Sequence, residues 1–219
     1  MNIKKKLIKY NFTEGRKDKI KYIVIHDTGN KGKGANAESH FIYFNGGNRN
    51  ASAHYFVDDK EILQLVEDIN TAWHVGDGKG KYGITNANSI GIEICVNSDG
   101  DYAKAVKNAI MLTKHLMAIY KVDFNNVVRH YDASRKICPA SMQPNNWEGW
   151  ENFKRELRKE LNQPMANPIV DNRNDPSSWA KEAWEWAKEN NITDGSRPKD
   201  NTTREEVITM LYRFKEVIK

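Results

Sequence analysis

Between Ser89 and Val96 the chain alternates with period two: Ile90, Ile92, Ile94 and Val96 share one face of an extended strand, and Glu93 and Cys95 share the other. A segment patterned this way needs a sheet built around it and an apolar layer packed on its isoleucine face. Glu93 is then a carboxylate on an otherwise apolar strand, costly to bury unless it is paired or used in chemistry. A second β-rich run, residues 20–26 (IKYIVIH), ends in His26.

Helical and extended patterns alternate around these two strands. Residues 35–44 read as a short helix closed by Gly46 and Gly47, and residues 54–66 read as a hairpin turning at Asp58-Asp59-Lys60. From Asp101 to Tyr120, Ala103, Val106, Ile110, Thr113, Met117 and Tyr120 recur at spacings of three and four, which predicts a long packed helix. Residues 126–130 return as a strand. Trp150, Phe153, Leu157 and Leu161 mark another helix, with Asn145 or Asn146 as its N-cap. The alternation predicts an α/β fold with a mixed central β-sheet flanked by helices.

The 219 residues hold one ordinary domain and a small second one. Pro164 and Pro168, set among polar residues, place a linker over 164–172 between a domain of residues 1–163 and a helical module of residues 173–219. In that module Ser177 or Ser178 caps a helix carrying Trp179, Ala183 and Trp186, with Trp179 and Trp186 read as core. Thr203 and Glu206 form a capping box ahead of Val207, Leu211 and Phe214.

A content of 39% hydrophobic and 29% charged residues is that of a globular protein. The longest apolar runs, residues 22–25 and 109–112, fall far short of the roughly 20 residues a membrane span requires, so no membrane insertion is expected. The basic start, Lys4, Lys5, Lys6 and Lys9, is followed by no apolar stretch, so the chain reads as one made in the cytoplasm without a signal peptide. Its two cysteines cannot form a disulfide framework and read as packing thiols or ligands. The net charge of +5 lies in the larger domain, with 25 Lys/Arg against 19 Asp/Glu. That suits an anionic partner, but no basic and aromatic stripe marks a nucleic-acid groove, and nucleic acid is not expected as a partner.

His130 stands eight residues before Cys138 across a polar loop, a spacing that lets one loop supply two ligands. A catalytic zinc takes three protein ligands and keeps a fourth position open. His26, His130 and Cys138 would provide them if the strands ending at residues 26 and 130 are neighbours. Singly, each also reads as a strand cap, a satisfied polar group or a buried thiol. Glu93 and Lys136 are the candidates for a base and for a group facing a developing oxyanion.

Residues 20–140 resemble the type 2 N-acetylmuramoyl-L-alanine amidases, the zinc amidase family that includes phage endolysins and peptidoglycan recognition proteins. Six segments in order carry the resemblance: residues 23–28 (IVIHDT), 52–55 (SAHY), 72–76 (AWHVG), 88–93 (NSIGIE), 129–132 (RHYD) and 136–139 (KICP). The resemblance implies a Zn2+ held by His26, His130 and Cys138, with Glu93 taking a proton from the attacking water. It also implies that Lys136 stabilises the oxyanion and that His74 lines the substrate groove. The implied reaction is hydrolysis of the amide between the lactyl group of N-acetylmuramic acid and L-alanine in bacterial peptidoglycan. Where the family has Cys-Pro-Gly, this chain has Cys138, Pro139 and Ala140. Cys95 reads as a packing thiol.

The tail resembles one S-layer homology motif, through Trp179-Ala180-Lys181-Glu182-Ala183, Asn191-Ile192-Thr193-Asp194-Gly195, Arg197-Pro198 and residues 203–206. Such motifs bind secondary cell-wall polymers and usually come in threes. Trp179, Trp184 and Trp186 are candidates for a carbohydrate-stacking surface. The whole resembles a phage endolysin released to the host wall. The alternative is a catalytically silent peptidoglycan-binding protein of the same fold; a scaffolding zinc domain with its fourth position closed by protein is a third reading.

Overall fold

The computed structural model describes residues 2–162, 176, 180–195 and 202–217. The chain divides into two units, Met1–Pro164 and Met165–Lys219. The expected linker, the Ser177/Ser178 cap, Trp179 and the Arg197-Pro198 pair lie outside the described residues.

The first unit runs β1 (Ile3–Lys5), β2 (Phe12–Thr13), β3 (Tyr22–Asp27), α1 (Ala37–Asn45), β4 (Tyr55–Val57), β5 (Ile62–Gln64), β6 (Thr71–Ala72), β7 (Ser89–Ile94), α2 (Tyr102–Tyr120), β8 (Val127–Arg129), α3 (His130–Ser134) and α4 (Pro144–Asn162). Six strands form one sheet in the order β1-β5-β4-β7-β3-β8, and β2 pairs with β6 alone. The sheet is mixed: β3 lies parallel to both β7 and β8, while β4 and β5 are the antiparallel hairpin. The expected α/β architecture is therefore the observed one.

Period-two patterning fixes the layers. Ile23 and Ile25 of β3, Ile90, Ile92 and Ile94 of β7, and Tyr55 and Val57 of β4 turn to one face, where α2 and α4 cover them. Phe56, Leu63 and Cys95 turn to the other face and pack with Ala37, Phe41 and Phe44 of α1. The Cys95 thiol is thus a packing group, and burial raises its pKa.

Local chemistry starts the helices. The Asn36 side chain accepts from Ser39 N–H and Asp101 from Lys104 N–H, each filling one orphan donor of a first turn. Asp58 accepts from Lys60 and Glu61 N–H at the hairpin turn and from Ala37 N–H at the start of α1, fastening turn to helix.

Two expectations need correction. The buried stripe of α2 is Ala105, Ala109, Ile110, Leu112, Thr113, Leu116 and Met117, whereas Ala103 is exposed. This helix packs on both the sheet and α4, so its apolar arc is wider than a single three-four row and is centred on a different row. Asn145 and Asn146 do not serve as extended caps: with Trp147 they take left-handed backbone angles at a kink inside α4.

The second unit contains α5 (Lys181–Glu189) and α6 (Arg204–Val217). Thr203 N–H donates to Glu206 Oε2 and Glu206 N–H to Thr203 Oγ1, the predicted reciprocal box. Trp186 meets Phe214 edge-on, with ring centroids 6.2 Å apart. Trp186 nevertheless stays exposed, against its reading as core, as do Val207, Leu211 and Phe214, because two short helices offer little surface to bury against. Among the described residues no helix is long and apolar enough to cross a membrane.

Candidate metal centre

Parallel pairing of β3 with β7 sets His26 beside Glu93, and pairing of β3 with β8 sets Ile25 beside Arg129. His130 follows at the first position of α3, so the ends of the three central strands bring His26, Glu93 and His130 together. The loop after α3 returns with Tyr131 N–H donating to the Cys138 carbonyl at 3.0 Å. Asp27, next to His26, accepts from Ser141 N–H at 2.7 Å and from the Ser141 hydroxyl, which ties the Cys138 loop to β3. Ala140 opens a 3-10 turn, Ala140–Met142, without needing a left-handed backbone.

The donor atoms of His26, His130 and Cys138 all lie within 4.8 Å of one another, and all three residues are buried. Cys138 Sγ is 3.7 Å from His26 Nδ1. His130 Nδ1 is a buried polar atom without a hydrogen-bond partner, while His130 Nε2 is 2.8 Å from Asp77 Oδ1. Burial holds both imidazoles below their ordinary pKa, so they are neutral lone-pair donors at neutral pH. Burial also pushes the Cys138 thiol up to about 12. Two neutral imidazoles and a thiol, with one imidazole nitrogen orphaned, fit a zinc ion with one position left open. A carboxylate behind a ligating histidine is the usual support for such a site, and Asp77 has that place.

Glu93 Oε1 stands 3.8 Å from His26 Nδ1, and its Oε2 is buried without a partner. Burial first, then the charge of Asp27, push the Glu93 carboxyl up to about 8, against the pull of Lys136. The Lys136 side chain is exposed beside the cluster, where its charge lowers the pKa values of His26, His130 and Cys138.

His74, expected to line the substrate groove, is 8% exposed, and its Nδ1 lies 3.0 Å from His26 Nε2, on the side of the ring away from Cys138. Its Nε2 meets Ser89 Oγ at 3.1 Å. Gly91 makes room for it: a Cβ at that position would stand 2.7 Å from His74 Cγ. Burial lowers the His74 pKa to about 3, so the ring is a neutral relay between His26 and Ser89. Sequence reasoning named the three residues of the His26, His130 and Cys138 cluster but missed Asp77 and Ser89, whose only signals are an acid between two glycines and a serine opening a strand.

The family model for N-acetylmuramoyl-L-alanine amidase matches residues 16–141, more than half of the chain. This chain belongs to the N-acetylmuramoyl-L-alanine amidase family. It is 43% identical over 133 residues to the amidase XlyA of Bacillus subtilis strain 168, covering 61% of this chain and 42% of that one. It is 40% identical over 132 residues to CwlH of the same strain, covering 60% and 50%. The chain thus matches half or less of the length of these relatives. The solved catalytic domain of XlyA superposes with a TM-score of 0.64 at 40% identity, covering 72% of this chain and 99% of that domain. The structure of PlyL superposes at 0.62 and 33% identity, covering 72% and 97%. The matched span contains the whole of the His26, His130 and Cys138 cluster.

Proposed function

We propose that this chain is a peptidoglycan hydrolase that cleaves the amide between the lactyl group of N-acetylmuramic acid and L-alanine, with Zn2+ held by His26, His130 and Cys138. The observation that carries the reading is the convergence of these three donor atoms within 4.8 Å, with the Glu93 carboxylate 3.8 Å from His26. Zinc in such a site supplies a Lewis acid that polarises the carbonyl and acidifies water.

The chain's own groups do the rest. Glu93, set beside His26 by strand pairing, takes a proton from the water that attacks the lactyl carbonyl. Lys136 faces the oxyanion that forms on the carbonyl oxygen. When the carbon–nitrogen bond breaks, the proton held by Glu93 passes to the leaving alanine nitrogen, giving a free amine and a lactyl carboxylate. His74 and Asp77 hold the His26 and His130 rings in place from behind.

The helices of the second unit are proposed as a wall-binding module of the S-layer homology kind that engages a secondary cell-wall polymer. A phage endolysin acting at the bacterial wall is the arrangement this combination suits, with the module raising local concentration on the polymer. The test is digestion of purified peptidoglycan by zinc-loaded protein, with products separated by mass and new N-terminal alanine assayed. Free alanine amine with intact glycan is the expected result. Binding with no new amine would make the chain a recognition protein. Cys138→Ser should lower zinc content by elemental analysis, and full occupancy would overturn the ligand assignment.

A further inference from the structure

Away from the His26 cluster, α4 and the 3-10 turn Phe124–Asn126 border a cavity of about 400 Å³. Lys154 of its lining donates from Nζ to the carbonyl of Val127, the first residue of β8, whereas His130 follows the last, so cavity and cluster belong to opposite ends of that strand. The cations of the lining are Lys154, Arg155 and Arg158, and Glu151 is its one carboxylate.

Lys154 Nζ stands 3.9 Å and Arg158 Cζ 4.6 Å from the centroid of the same Phe124 ring. The ring attracts both charges, but each charge repels the other. Burial first, and then the charge of Arg158, bring the Lys154 ammonium down to about 8. The carbonyls of Phe124 and Val127 accept two of its three N–H donors, at 2.5 and 2.9 Å, which fixes the ammonium and leaves one donor over. Among the described residues neither Lys154 nor Arg158 forms an ion pair, and Arg155 has only the exposed Glu156, 3.8 Å away. Buried charge is normally paired, and an anion in this cavity would complete the group.

The chemistry of the lining selects the anion. Arg155 and Arg158 carry planar forks that match phosphate oxygens, and Lys154 adds a fixed point charge. The rims of Phe124 and Trp150 offer carbon surface to a polyol or sugar joined to that phosphate. Their faces are taken: Trp150 stacks on Phe153 at 5.4 Å with Arg129 5.7 Å from its centroid, and Phe124 carries the two cations. A nucleic-acid base finds no open ring face to stack on.

We propose that this cavity is a phosphate subsite for a phosphodiester-linked polyol chain of an anionic wall polymer, with Arg155 and Arg158 binding the phosphate oxygens and Lys154 supplying a fixed charge. The subsite stands on this geometry; that its phosphate comes from a wall polymer rests on the hydrolase reading above.

The probe is an oligo(glycerol phosphate), titrated into the isotope-labelled full chain while the Trp150 indole and Phe124 amide signals are followed by NMR. Inorganic phosphate and an oligothymidylate of equal charge are titrated alongside. Both signals should shift with oligo(glycerol phosphate), and at lower concentration than with inorganic phosphate. In Arg158→Gln the Kd read at these signals should rise about tenfold, the weight of a charge-assisted hydrogen bond. Lys107→Gln, which removes the same charge from an exposed position of α2, should leave it within about twofold. Both variants should release amine from a soluble muropeptide at the parent rate. Equal weakening by the two variants would make the attraction one of net charge and overturn the site. Shifts confined to the second unit, or tighter binding of the oligothymidylate, would overturn it too. Inorganic phosphate binding as tightly as the oligomer would overturn the polymer assignment. No amine from peptidoglycan would overturn the hydrolase reading, and with it the wall polymer as source, while shifts lost in Arg158→Gln would still uphold the phosphate subsite.

Discussion

His26 and Glu93 sit at paired positions of adjacent parallel strands, with Glu93 Oε1 3.8 Å from His26 Nδ1. Parallel neighbours in register point their side chains to the same face, so the His26 imidazole and the Glu93 carboxylate are set side by side by backbone hydrogen bonding. No loop flexibility intervenes. The pairing that builds the core on one face of these strands also builds the chemistry on the other.

Glu93→Gln should therefore keep the fold and the zinc while lowering turnover of peptidoglycan by about 10²–10⁴, the weight of a general base. Zinc content and amine release, measured on the same preparation, check both halves. Unchanged turnover would remove Glu93 from the mechanism.

His74→Phe should weaken zinc binding by about 10–100-fold, because the partner of His26 Nε2 is lost while the ring volume is roughly kept. Gly91→Ala should act on the same contact from the opposite side, forcing the His74 ring to move at a cost of about 1–3 kcal/mol in stability. Titration against a chromophoric chelator gives the affinities. If both variants bind zinc as tightly as the parent, His74 does not hold the ligand.

His54 supplies a pH prediction. It is fully buried, accepts from Gly91 N–H at 3.0 Å, and is held well below its ordinary pKa of 6.5, chiefly by burial. Above pH 6.5 the ring is neutral in both folded and unfolded chains, and its contribution is fully present. As pH falls below 6.5 the unfolded chain takes up a proton that the folded one refuses, and stability is lost by up to about 1.4 kcal/mol per pH unit. His54→Gln should make the fall of stability between pH 6.5 and 5 shallower in metal-free protein followed by urea unfolding. Parallel curves for variant and parent would contradict the assignment.

Removal of residues 164–219 should weaken sedimentation with intact cell walls more than it weakens cleavage of a soluble muropeptide. The first unit has its own buried core and matches a catalytic domain solved alone, so its chemistry should survive. Equal loss in both assays would make the tail a structural part of the enzyme.

Sequence patterns within about twenty residues were sufficient for much of this molecule. Period two in residues 89–96 gave β7 and the face Glu93 occupies, Asp101 capped α2, and Thr203 with Glu206 started α6. These features rest on backbone geometry and local hydrogen bonds, which a short window contains. What the tertiary structure decided lies across long separations. His74 reads in the chain as one more polar residue near a loop, and it becomes a buried support for His26 only because Gly91, seventeen residues later, leaves the space for its ring. Asp77 meets His130 across 53 residues. The buried row of α2 depended on α4 packing from one side and the sheet from the other, and the exposure of the α6 apolar residues on how little surface α5 offers them. Pattern and spacing chose the residue types and the strands; close packing between distant segments chose which histidines join Cys138 in one cluster and which stands behind it.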